Sequence, residues 1–100
     1  MSMRRSEVID RLKQAEPAIR ELGASALYLF GSYARDEAGP DSDVDVFIDK
    51  DPARSFGLRE FMGIYLKLQE VVGARVGYTT REGIVDFYRP EIEREAVRVF

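Results

Sequence analysis

Apolar residues recur at helical spacing at the start of the chain. Val8, Ile9, Leu12, Ala15, Ile19 and Leu22 stand three and four apart and make one stripe. Pro17 interrupts that stripe, so the spacing predicts either a kinked helix or two short helices with Pro17 in the first turn of the second. Gly23 is a good stop. Ala26-Leu27-Tyr28-Leu29-Phe30 is a continuous apolar run between Gly23 and Gly31, which predicts a buried central strand. A short helix over 32–37 and a loop over 38–42 follow. From Asp43 to Asp49 the pattern switches to period two. Val44, Val46 and Ile48 share one face, and Asp43, Asp45, Phe47 and Asp49 the other. Residues 55–72 read as the main amphipathic helix, with Leu58, Phe61, Met62, Tyr65, Leu68 and Val72 as its stripe. Phe56, Ile64 and Leu66 fall outside that stripe and are candidates for an interface or for burial beneath a loop. Residues 74–80 read as a third strand, with Val76 and Tyr78 on one face and Arg75, Gly77 and Thr79 on the other. The stretch 81–88 gives no clear pattern. Pro90 starts a last helix in which Ile92, Ala96 and Val99 align. Three strands with helices around them predict an α/β or α+β fold in one domain over 1–100.

Composition narrows the chemistry. With 45% hydrophobic residues the chain can fold, and at 100 residues its core is modest. The formal net charge is -3 and no long basic run occurs, which speaks against an extended nucleic-acid or anionic-membrane surface. No apolar run is long enough for a membrane span, and the first ten residues lack the apolar stretch of a signal peptide. Cysteine and histidine are both absent. Thiolate and imidazole metal sites and a histidine base are therefore excluded, so any metal must be held by oxygen, as magnesium, manganese or calcium is. The lack of cysteine suits a cytoplasmic setting.

Two features carry candidate chemistry. Asp43 and Asp45 are i and i+2 on a strand, so both carboxylates point to one face. Two carboxylates so close repel unless a cation joins them. Alone, the pair reads more readily as the solvated face of an edge strand. The Gly31-Ser32 turn follows a buried strand and opens a helix, a junction where backbone N–H groups meet phosphate and glycine permits close approach. Alone, it reads more readily as an ordinary strand-to-helix turn. Arg35 stands near enough to aim a guanidinium at the same anion, or to brace the loop.

Taken together, these residues are more specific. The segment from Leu29 to Val46 contains Gly31-Ser32-Tyr33-Ala34-Arg35, then seven residues, then Asp43-Val44-Asp45. It resembles the signature of the nucleotidyltransferase superfamily, and most closely the minimal nucleotidyltransferase (MNT) branch, whose members are often antitoxins beside a HEPN-domain toxin. The resemblance extends over nearly the whole chain. It implies the nucleotidyltransferase fold, a small mixed sheet with helices like the palm of DNA polymerase beta. It implies that Gly31, Ser32 and Arg35 bind the nucleotide, and that Asp43 and Asp45 are catalytic and hold Mg2+ or Mn2+. It also implies transfer of a nucleoside monophosphate from a nucleoside triphosphate, ATP by analogy, to an acceptor hydroxyl on a partner such as a HEPN toxin. Two positions depart from the pattern. Asp36 stands where the family commonly has glycine. Gly77 stands where the family's third carboxylate is expected, which opens a second reading: an impaired, nucleotide-binding antitoxin that works by contact. Asp86 is the remaining acid considered as a replacement.

Overall fold

The computed structural model describes residues 3–100. Helices α1 (Arg5–Lys13) and α2 (Glu16–Glu21) open the chain, with Pro17 in the first turn of α2. Of the two arrangements that Pro17 allowed, two short helices are found. A proline N–H is not needed in a helix's first turn, and that placement avoids a broken bond in mid-helix. Strand β1 (Ala24–Phe30) leads into a single helical turn, α3 (Gly31–Ala34). Strand β2 (Val44–Lys50), helix α4 (Leu58–Val72) and strand β3 (Val76–Thr80) follow. A 3-10 turn (Arg81–Gly83), helix α5 (Arg89–Glu95) and strand β4 (Val97–Arg98) close the chain.

The sheet order is β3-β2-β1-β4. β1 runs antiparallel to β2 and β4, while β2 and β3 are parallel, so the sheet is mixed. Its inner face buries Leu27, Leu29, Val44, Val46 and Ile48 against Val8, Leu12 and Ile19 of the first two helices and Ile64, Leu68 and Val72 of α4. This continuous apolar layer is the main source of stability. Glu60 accepts a hydrogen bond from the Gly57 N–H at 2.8 Å, and Gly73 ends α4 in the left-handed region. The Arg11 guanidinium donates to the Val72 carbonyl at 2.7 Å, so the end of α4 is also tied to α1.

The outer face is mixed in character. Tyr28 and Phe47 stack at 4.8 Å, and the Arg81 guanidinium lies over both rings while donating to both Asp49 carboxylate oxygens at 2.6 and 2.9 Å. This cluster closes the Asp49 end of the outer face and leaves the Asp45 end for the site.

Two expectations are corrected. The last helix stops at Glu95, and Val97-Arg98 add a fourth strand to β1. Val97 packs on the core and Val99 is buried, with Arg98 between them exposed, so the tail follows period two. The α4 stripe is also rotated. Ile64, expected outside it, is fully buried, while Leu58 and Met62, expected within it, are 77% and 42% exposed. Leu66, which was also outside the stripe, is exposed, and Phe56 is half-buried against the core. The helix is apolar over a wide arc, and the sheet it packs on selects which part faces inward.

Candidate functional site

The site lies where β1 ends and β2 begins. Phe30 is extended, and Gly31 then turns the chain with φ +76, a conformation that favours glycine. A second constraint acts at the same residue: a Cβ on Gly31 would lie 2.5 Å from Asp45 Oδ2. Phe30 pairs with Asp45 across the strands, so the ladder seats that carboxylate directly against the turn. The chain closes the turn with hydrogen bonds from Arg35 N to the Gly31 carbonyl (3.2 Å) and from Glu37 N to the Ser32 carbonyl (2.8 Å). Ser32 is half-buried.

On its other side Asp45 pairs with Gly77 of β3, and a Cβ there would lie 2.5 Å from Asp45 Oδ1. The carboxylate therefore sits in a slot between two glycines. Burial holds its carboxyl above the usual carboxylate range. The negative charge of Asp43 adds to that shift, the nearby Arg35 opposes it, and Glu95 adds a smaller push upward. Asp43 stands one residue before β2, half-exposed, with Arg75 Nε 3.1 Å from its Oδ1.

The structure thus brings Gly31, Ser32, Asp43, Asp45 and Gly77 together. Arg35 is close as well, but its Nη1 is bound to Glu95 at 2.7 Å and its Nε to Glu37 at 3.2 Å. Asp86 is not in this group. Its side chain is almost fully exposed and pairs with Arg89 at 3.1 Å. Sequence reasoning missed Glu95 and Arg75. No local pattern marks either residue, and Glu95 is 60 residues away from its partner.

A half-buried carboxylate with a raised pKa and a second acid beside it is a favourable setting for a hard cation. Among the described residues no group of three or more acids is close enough to share a metal. The donors present fit a cation that takes its remaining ligands from phosphate oxygens and water. They do not supply the full set for a second ion.

Comparison with known proteins decides the family. The model of the nucleotidyltransferase domain matches residues 6–99. The chain belongs to the nucleotidyltransferase domain family. Among the relatives of this chain is the protein adenylyltransferase MntA of Thermococcus cleftensis, 33% identical over 81 residues, covering 81% of this chain and 75% of that protein. A solved structure provisionally described as a minimal nucleotidyltransferase superposes with a TM-score of 0.79 at 28% identity, over 95% of each chain. The fold also matches a chain from the complex of a tri-AMPylated Shewanella oneidensis HEPN toxin with an MNT antitoxin. There the TM-score is 0.56 at 16% identity, over 89% of this chain and 71% of that one. The nucleotidyltransferase fold expected from the sequence is therefore the fold found, with one strand more than the three anticipated. No helix among the described residues is long and apolar enough to cross a membrane.

Proposed function

We propose that this nucleotidyltransferase binds a nucleoside triphosphate, ATP by analogy with its relatives, together with Mg2+ or Mn2+ at the Gly31 turn. Asp43 and Asp45 would hold the cation, and Gly31 and Ser32 would receive the phosphate tail. The observation that carries this reading is the Asp45 carboxylate seated against Gly31 with Asp43 beside it. A bound cation supplies charge neutralisation at the phosphates. The chain's own contribution is a turn that admits close approach and a strand that fixes two acids on a rigid frame.

The reaction is nucleotidyl transfer. An acceptor hydroxyl oxygen forms a bond to the α-phosphorus, the bond to the bridging oxygen breaks, pyrophosphate leaves and the hydroxyl proton passes to solvent. The acceptor is a hydroxyl on a partner protein, and a HEPN toxin is the candidate that the resemblance to MNT antitoxins supports. The setting is the cytoplasm.

Gly77 favours a second reading. With no carboxylate on β3, activation of the acceptor loses a ligand, and losing one costs at least about 100-fold, since changes one shell further out cost 10–100-fold. The chain would then act as a nucleotide-binding antitoxin through contact. Transfer of label from α-phosphate-labelled ATP with magnesium, by wild type and Gly77→Asp, each with the neighbouring partner protein, separates the two. Label transfer by wild type supports the enzyme. Transfer by Gly77→Asp alone supports the contact reading. Transfer by neither removes the enzyme reading for that partner.

A further inference from the structure

The Gly31–Ala34 turn is tied down from both ends of the chain. On one side Arg5 of α1 donates through Nη1 to the Ala34 carbonyl at 3.1 Å and through its backbone N–H to Asp36 Oδ1 at 3.2 Å. On the other side stands Glu95, the last residue of α5. Strand β4 follows it, and Val97 pairs with Leu29, so strand addition carries Glu95 to the end of β1 that opens into Gly31. There its Oε2 accepts from Arg35 Nη1 at 2.7 Å.

An arginine in this position has two possible employments. It can meet phosphate, or it can hold the turn. Two carboxylates, Glu95 and Glu37, already accept from its Nη1 and Nε. Turning Nη1 of Arg35 to a phosphate would leave Glu95, whose side chain is 23% exposed, without its cation and in the neighbourhood of Asp45. A partly buried carboxylate stripped of its partner beside another carboxylate is unfavourable. Retaining the ion pair avoids this. The pair is also too exposed to matter much for global stability. Its effect is confined to the turn.

We propose that Arg35 and Glu95 form a positioning pair: Glu95 orients Arg35, and Arg35 holds the Gly31–Ala34 turn in register with Asp45 without itself touching phosphate. Glu95 is thereby a residue of the site contributed by the far end of the chain.

Because the inference rests on reading the turn as a nucleotide site, its test needs two readouts. Amide hydrogen exchange at Arg35, Asp36 and Glu37, whose N–H groups close the turn, reports the turn itself. Calorimetric titration with magnesium ATP reports the nucleotide. Both are measured on wild type, Arg35→Gln, Glu95→Gln and the double variant. For a pair acting as one unit, all three variants exchange these amides about tenfold faster and bind magnesium ATP about three- to tenfold more weakly, the double variant being no worse than either single. Loss of about tenfold or more in Arg35→Gln, with Glu95→Gln within about twofold of wild type, would place the guanidinium on phosphate and overturn the proposal. Unchanged exchange in Glu95→Gln would overturn it as well. Absence of magnesium ATP binding by wild type would defeat the nucleotide reading alone, because the exchange measurement still decides whether the pair holds the turn.

Discussion

Asp45 and Gly77 are paired on adjacent parallel strands, and the Asp45 carboxylate occupies the space that a side chain at 77 would need, with Oδ1 2.5 Å from the site of a Cβ. The bare backbone of Gly77 is what lets Asp45 adopt this position. Gly77→Asp would make Asp45 turn and would put a further carboxylate beside Asp43 and Asp45. Without a divalent cation that repulsion lowers the melting temperature by several degrees, on the scale of about 4–8 °C per kcal/mol for a domain of this size. Added magnesium recovers the loss, and its effect on the variant exceeds its effect on wild type. Thermal melts in EDTA and in magnesium check this, and equal magnesium shifts in both proteins would count against it.

Asp45 also sets a pH dependence. Its carboxyl is held above the usual range by burial and by Asp43. The folded state thus binds this proton more tightly than the unfolded state. The penalty for ionised Asp45 is fully present at neutral pH and fades as pH falls through the folded pKa toward the ordinary carboxylate range near about 4. Asp45→Asn is expected to melt above wild type at neutral pH, with the advantage shrinking as the pH is lowered across that window. A variant less stable than wild type at neutral pH contradicts this.

Asp36 adopts φ +58, a left-handed conformation. Glycine, which the resemblance leads one to expect there, would adopt it without strain. Aspartate tolerates the conformation better than most residues, and here its Oδ1 also accepts from the Arg5 N–H. Asp36→Gly relieves the backbone and loses the bond, two effects of about 1 kcal/mol each, so stability should change by less than about 1 kcal/mol. Asp36→Val keeps the unfavourable φ, adds a branched Cβ and loses the bond. It should destabilise by about 2 kcal/mol in denaturant titrations.

The face that α4 presents to the sheet can be tested by truncation. Ile64→Ala removes a fully buried side chain and should cost about 2–5 kcal/mol. Met62→Ala, at a half-exposed position, should cost less than about 0.5–1 kcal/mol. The reverse ranking would return α4 to the orientation read from its sequence.

Much of this arrangement was legible in the chain. The apolar run before Gly31 and the period-two pattern around Asp45 place both halves of the site, because local pattern decides strand faces. The α4 orientation was not legible, because Leu58, Met62 and Ile64 all satisfy helical spacing with Leu68 and Val72. Only the sheet chooses among them. β4 was missed because Ala96, Val97 and Val99 fit helical and alternating patterns alike over so few residues. The Arg35–Glu95 contact depends on β4 docking beside β1, a pairing that no local signal in the sequence reports.

Whether Asp43 and Asp45 hold a metal-bound nucleotide against the Gly31 turn is decided by a binding measurement. Calorimetric titration with a non-hydrolysable ATP analogue and magnesium tests it most directly, on wild type and on Asp45→Asn, a variant expected to stay folded. Wild type is expected to bind one nucleotide per chain, with binding lost in EDTA and weakened at least about tenfold in the variant, since losing a direct metal ligand costs no less than losing a residue behind it. Equal binding by both proteins, or none by wild type, would contradict it.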